Sequence, residues 1–154
     1  MTTEIQHYTE SIVYEIELTA RVIKLLSFQL FNGINANMLP EEYTAMDVIL
    51  CKPEICQRDL AKIIFKDRAN TGRILNSLER KGYIERFADT KNNRLVRKMK
   101  LTDKGYAEFR CMSNKLKESV DKLTEDFPEK SIEDLKKSLK NFRSGVEKLL
   151  ELKI

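Results

Sequence analysis

The chain has 154 residues, of which 42% are apolar and 34% charged, with five Gly and three Pro. That length suits one domain with extensions, and the composition leaves little room for long loops or disorder. Three cysteines and one histidine are too few for a disulfide framework, and no ligand spacing for zinc is visible, so neither a metal nor another cofactor is expected. No window approaches the roughly eighteen consecutive apolar residues of a membrane span. Met1 to Gln6 lack the basic and apolar regions of a signal peptide, so a cytoplasmic protein with reduced cysteines is expected.

The formal net charge of +4 is unevenly spread. Residues 1–57 carry three Lys/Arg and eight Asp/Glu, net −5; residues 58–104 carry fourteen and six, net +8; residues 105–154 carry eleven and ten, net +1. The positive charge sits where a polyanion would be gripped.

In chain order, Ile12, Ile16, Thr19, Ile23, Leu26 and Leu30 recur at helical steps and predict a long helix over residues 9–31. Val13, Val22, Leu25 and Phe28 widen its apolar face, which calls for cover from its own domain or from a second chain. Asn32 to Asn35 end it, with Gly33 as a C′ residue. Leu39-Pro40-Glu41-Glu42 opens the next helix, with Pro40 suited to the first turn and the carboxylates to its positive end. Tyr43, Met46, Val48, Ile49 and Leu50 supply its buried side, and Lys52-Pro53 stops it.

Gln57 to Phe65 reads as a short helix with Leu60, Ala61 and Ile64 inward. Residues 66–68 form a turn, with Asp67 or Arg68 near an N-cap. A basic helix follows from about Ala69 to Lys81, stopped by Gly82. At about 100° per residue, Thr71, Ile74, Leu75 and Leu78 share its inner face, and Ala69, Gly72, Arg73, Asn76 and Arg80 its outer one. Tyr83–Phe87 and Leu95–Leu101 are strand candidates, joined by a polar tip from Ala88 to Arg94. Thr102 caps the next helix, which carries Tyr106, Phe109, Met112, Leu116, Val120 and Leu123 and ends before Pro128. Ser131 is expected to cap the last helix, whose stripe is Leu135, Leu139, Phe142, Val146, Leu149 and Leu150.

The order helix, turn, basic helix, hairpin predicts a mainly α fold with a small β-hairpin wing, a winged helix-turn-helix flanked by helices at both ends. Such a unit offers one helix to a DNA major groove and a hairpin to the flanking backbone or minor groove. Arg73 and Asn76, outward at mid-helix, are the candidates for base edges, arginine with guanine and asparagine with adenine. Arg68 and Asn70, near the helix start, could read bases or hold phosphates, and the Thr71 hydroxyl could reach a phosphate. Arg58 and Arg80 position the protein. Gly72 leaves the helix axis free to approach the groove. At the wing, Arg94 suits the minor groove and Lys91, Asn92 and Asn93 the backbone. Asp89 repels DNA, so it is expected to pair with Arg86 or Arg94 and fix the hairpin. Phe28, Phe31, Met38, Tyr43, Met46, Phe109 and Met112 are core residues by default, some of which could line a cavity for a ligand.

The runs Gln57-Arg58-Asp59-Leu60-Ala61 and Thr71 to Arg86 resemble the core of MarR-type transcriptional regulators. So do Asp89 to Arg94 and Met99-Lys100-Leu101-Thr102-Asp103-Lys104-Gly105. The likeness extends over nearly the whole chain, as a single MarR-like domain over 1–154 with its winged helix-turn-helix at about 40–102. It implies dimerisation helices at about 9–33 and 103–152, a homodimer, a palindromic double-stranded operator and, usually, repression. It also implies release by a small phenolic or other amphipathic ligand, or by an oxidant. Two positions depart from the pattern: Asn93 stands where a first wing arginine is usual, and Arg68-Ala69 stands where the recognition helix often starts with proline or serine.

Two alternatives accompany this reading. A non-specific architectural DNA binder predicts similar affinity for any duplex, whereas a specific regulator prefers its site by roughly 10³ or more. A redox-sensing regulator could use Cys51 and Cys56, which flank Lys52-Pro53-Glu54 at a turn. Oxidation-sensing relatives, however, place their cysteine near the start of the first helix, and buried small hydrophobes is the favoured reading of these thiols. No Ser-His-Asp or Cys-His pairing, metal cluster or phosphate loop supports an enzyme.

Overall fold

The structure, a computed structural model, describes residues 7–34 and 37–150. The expectations placed on Met1 to Gln6, on Asn35 and on residues 151–152 lie outside them. The chain divides into two compact units, residues 1–43 and 44–154.

In the first unit a 3₁₀ turn, Tyr8–Glu10, leads into α1, Ile12–Gly33. Ser11 caps α1 by accepting the Tyr14 N–H at 3.2 Å. Gly33 departs from the expected left-handed stop. Gly82 is the only glycine with positive φ among the described residues, and α1 closes instead through the Ile34 N–H, which donates to the Leu30 carbonyl at 3.2 Å. Of the 22 residues of α1 only Phe31 is buried. Its ring meets that of Tyr43 edge-on at 6.0 Å. Ile12, Val13, Leu18, Val22, Ile23, Leu25, Leu26 and Phe28 are all exposed.

Helix α2 spans Pro40–Cys51. Its start is fixed as Pro40 and the acidic pair suggest: the Leu39 N–H donates to the Glu42 carboxylate at 2.8 Å. Ala45, Met46 and Ile49 are buried.

The second unit holds the helix-turn-helix and its wing. Helix α3 is Gln57–Ile63 and α4 is Arg68–Arg80. Between them Phe65 takes φ 55°, the left-handed residue that lets the chain double back in so few positions. Asp67 is the N-cap of α4, accepting the Asn70 N–H at 2.7 Å. Gly82 ends α4 with φ 75°. The Lys104 ammonium donates to the Lys81 carbonyl at 2.8 Å, a cation at the negative end of the helix. As expected, Thr71, Ile74, Leu75 and Leu78 form the buried face of α4.

Strands β1, Ile84–Lys91, and β2, Arg94–Leu101, form an antiparallel hairpin, with Ile84 opposite Leu101 and Lys91 opposite Arg94. The wing is therefore longer and tighter than its sequence suggested. Ala88 to Lys91 belong to the strand, and the turn is only Asn92-Asn93. Their φ values of 51° and 58° fit the two-residue hairpin turn whose twist matches the strands, a conformation that asparagine tolerates.

Helix α5, Asp103–Thr124, starts from the Thr102 cap, whose hydroxyl oxygen accepts the Gly105 N–H at 3.0 Å. Helix α6 is Glu129–Leu150. It begins before Ser131 because the Pro128 carbonyl already accepts the Ile132 N–H at 3.2 Å, so Ser131 lies inside the helix and does not cap it. No residue of α6 is buried; Leu135, Leu139, Val146, Leu149 and Leu150 stand exposed, as do Val120 and Leu123 of α5. The buried set of this unit includes Leu60, Ala61, Leu75, Leu78, Tyr83, Ile84, Met99, Phe109 and Met112. Burying each of the larger side chains is worth about 1.5–3 kcal/mol.

Candidate nucleic-acid interface

Because Thr71, Ile74, Leu75 and Leu78 anchor one face of α4, the helical phase turns the residues between them outward. Arg68, Ala69, Gly72, Arg73, Asn76 and Arg80 line a shallow open trough of about 630 Å³, bounded on the α3 side by Gln57. Gly72 is one of its lining residues. A Cβ there would stand 3.5 Å from the Gln57 Nε2, an ordinary contact, so the missing methyl serves the surface and not the packing.

A second groove, of about 1100 Å³, runs between α3 with its following turn and the wing. Arg58, Phe65 and Arg68 are among its residues on one side, and Lys91, Arg94 and Arg97 on the other. Arg58 is thus grouped with the wing and not with Arg73 and Asn76. Lys91, Asn92, Asn93 and Arg94 are all exposed at the end of the hairpin. Ala69 lies on the outer face that the helical phase gave it, whereas Gln57 and Arg97 were not singled out by sequence as site residues. The phase of α3 from its Cys56 cap, and of β2 from its buried Met99, were the signals available for Gln57 and Arg97.

Polar contacts assign these side chains roles that the sequence left open. Thr71 is wholly buried and its hydroxyl donates to the Asp67 carbonyl at 2.8 Å, so it has no surface to offer a phosphate. Asn70 is engaged at both ends of its amide: Nδ2 donates to Asp67 at 2.6 Å, and Oδ1 accepts from the Arg73 guanidinium at 2.9 Å. It orients Arg73. Asp89 pairs with Lys98, and not with Arg86 or Arg94 as expected. Strand register explains this: Asp89 lies opposite Val96, two residues from Lys98 on the same face. Arg86 instead reaches α4, where it pairs with Glu79 and donates to Asn76 Oδ1 at 2.8 Å. It holds the base of the wing to α4. Lys91 at the wing end pairs with Asp59 of α3 at 2.6 Å.

The three thiols are free. Cys56 is buried and donates to Asp59 at 3.1 Å, whereas Cys51 and Cys111 are exposed, so the reading as buried small hydrophobes holds for Cys56 alone. Among the described residues no cluster of three or more His, Cys, Asp or Glu could hold a metal, and no helix is long and apolar enough to cross a membrane.

Four carboxylates of this lobe are held below their ordinary values. Lys91 and then the Cys56 thiol do this to Asp59, the Asn70 backbone N–H and amide to Asp67, Arg86 to Glu79, and Lys98 with the Thr90 N–H to Asp89. A depressed carboxylate stabilises the fold above its unfolded value, and that contribution is lost as pH falls through the folded value. The melting temperature should therefore be flat from about pH 5 to 8 and drop below about pH 4. Circular dichroism melts across that range check this; a melting temperature unchanged down to pH 3 would contradict it. Lys91, Lys98 and Lys100 are raised by Asp59, Asp89 and Glu85 respectively, so their contribution persists below the ordinary lysine value and fades only in strong alkali.

A family model, MarR family, matches residues 40–96. The uncharacterized HTH-type transcriptional regulator YybA of Bacillus subtilis (strain 168) is 25% identical over 137 residues, 89% of each chain. Among solved structures, Streptococcus pneumoniae FabT in complex with DNA superimposes with a TM-score of 0.68 at 26% identity, over 93% of this chain and 99% of that one. The S. aureus MepR–DNA complex superimposes with a TM-score of 0.76 at 19% identity, over 91% of this chain and 99% of that one. The chain therefore carries a MarR-family domain over residues 40–96, the segment that holds the helix-turn-helix and much of the wing.

Proposed function

We propose that this protein is a sequence-specific regulator that binds a palindromic double-stranded operator as a homodimer and represses from it. Helix α4 enters the major groove and the wing, led by Arg94, lies along the adjacent backbone and minor groove. The observation that carries this reading is the trough on α4. Small residues at 69 and 72 let the helix axis approach a groove, and Arg68, Arg73 and Arg80 stand around them. FabT and MepR, of the same fold, were solved with DNA.

The dimer reading rests on exposed apolar stripes. Helix α1 shows eight large apolar residues to solvent, and α6 buries none of its stripe. Stripes of that size mark surfaces that another chain covers. The residues about 9–33 and 103–152 serve as the dimerisation helices in this reading, and residues about 40–102 as the DNA-binding lobe. Control by a small amphipathic or phenolic ligand belongs to it through the family.

Fluorescence anisotropy with the full-length protein and a randomised duplex pool tests the reading. Selection should enrich one palindromic site, preferred over random duplex by about 10³-fold or more, and affinity should fall steeply with salt. The double variant Leu139→Glu, Leu149→Glu should sediment as a monomer and lose about 100-fold or more in operator affinity. Equal affinity for every duplex would favour an architectural binder, and a double variant that stays dimeric would overturn the proposed interface.

A further inference from the structure

Asn76 stands exposed in the middle of α4, and its amide orientation is set by a neighbour. Arg86 Nη2 donates to Asn76 Oδ1 at 2.8 Å, while the same guanidinium is fixed by Glu79 through Nε at 3.1 Å and through Nη2. A guanidinium has donors only, so the amide must face it with its oxygen. The Nδ2 donors then point elsewhere.

Pairing an asparagine with adenine needs Oδ1 to accept from N6 while Nδ2 donates to N7. Here the oxygen already serves a cation. Its second lone pair is open only to a donor that can settle beside that guanidinium, and the adenine amino group would meet it donor to donor. Guanine O6 and N7, and thymine O4, meet no such conflict. The other trough residues of α4 point the same way: Arg68, Arg73 and Arg80 are donors, and Ala69 and Gly72 have no polar side-chain atom. Gln57 of α3 is the one other amide at the trough.

We propose that Arg86 is a positioning residue that makes Asn76 a donor-only reader, so that mid-α4 selects a base edge presenting acceptors, guanine or thymine, over adenine. This rests on the DNA-binding reading above and deepens it. It also replaces the asparagine–adenine pairing that the sequence suggested.

The test takes the site selected from the randomised pool and measures every single-base variant by anisotropy with four full-length proteins: wild type, Asn76→Ala, Asn76→Asp and Arg86→Met. Asn76→Ala should flatten preference at one base pair of the half-site. There the wild type should favour guanine or thymine over adenine by about tenfold, and the base variants tell those two apart. Asn76→Asp keeps the Arg86 contact but offers acceptors alone, so it should turn that position toward cytosine or adenine. Arg86→Met frees Oδ1 and should raise adenine at that position by about tenfold, an effect that mere loosening of the wing would spread over all bases. A wild-type preference for adenine at the position that Asn76→Ala flattens overturns the inference. So does an Asn76→Ala variant that flattens nothing, or an Arg86→Met variant with unchanged base order. The two Asn76 variants alter an exposed side chain and keep the test open should Arg86→Met fail to fold. Those failures leave the regulator reading standing, whereas a wild type with no preferred sequence removes both.

Discussion

Arg73→Ala should lower affinity for the selected operator by about 10- to 100-fold and erase discrimination at one base pair, while affinity for random duplex falls only slightly. The expectation comes from how the side chain is held. Asp67 caps α4 and binds the Asn70 amide at 2.6 Å, and Asn70 Oδ1 accepts from the Arg73 guanidinium at 2.9 Å. That relay orders the guanidinium before any ligand arrives. Less rotamer entropy is then lost on binding, and the fork is pre-set for the two acceptors of a guanine. Arg73→Lys separates charge from shape. It should keep nearly the wild-type salt slope, since one cation replaces another, yet lose most of the base discrimination. Asn70→Ala should show a weaker version of the same phenotype. If all three variants ranked the single-base operator variants as the wild type does, Arg73 would be a phosphate contact only.

Most of the architecture was legible because it follows from periodicity and punctuation. The inner face of α4 was fixed by the three- and four-residue spacing of Thr71, Ile74, Leu75 and Leu78, and its outer face followed by phase. Thr102 and Gly82 marked their boundaries through the chemistry of caps and left-handed residues. The errors lie where a backbone bond or a long side chain decides. Asn92-Asn93 reads as part of a polar loop until cross-strand pairing shows that two left-handed asparagines suffice to turn the chain. Pro128 starts α6 with its carbonyl, so the box-like Ser131 spacing never operates. Arg86 and Lys98 chose partners across seven and nine residues of sequence; the seating of β1 against α4 decides the first and the hairpin register the second. The candidate site was therefore readable as a list of outward residues. Its division into readers, orienters and buried supports was not: the Asp67 carbonyl that takes the Thr71 hydroxyl, and the Asp67–Asn70–Arg73 chain of bonds, are choices of partner that periodicity does not specify.

Gly105→Ala and Gly72→Ala are the same chemical change within helices of the same unit, and they should move stability in opposite directions. At Gly105 an added Cβ would fall 1.9 Å from the Tyr83 carbonyl oxygen and 2.7 Å from its carbon. Backbone, not a flexible side-chain end, is in the way. That carbonyl also accepts the Thr102 N–H at 3.0 Å, and the Thr102 hydroxyl both accepts from Gly105 at 3.0 Å and donates to the Gly82 carbonyl at 2.6 Å. Making room for a methyl group means withdrawing the first turn of α5 from the end of α4, which strains the cap and those bonds together. Overpacking and a weakened cap should cost about 3 kcal/mol in all, a fall in melting temperature of roughly 6 to 12 °C. At Gly72 the new Cβ meets only the Gln57 amide at 3.5 Å, and alanine in a helix interior gains about 1 kcal/mol over glycine. Gly72→Ala should therefore melt higher than the wild type and bind the operator more weakly, since its methyl group stands into the trough that Gly72 helps to line. Thermal melts and anisotropy on the two variants check both signs. A Gly105→Ala protein as stable as the wild type would mean that α5 does not seat against the Tyr83 carbonyl, and a Gly72→Ala protein with unchanged affinity would mean that no groove is approached there.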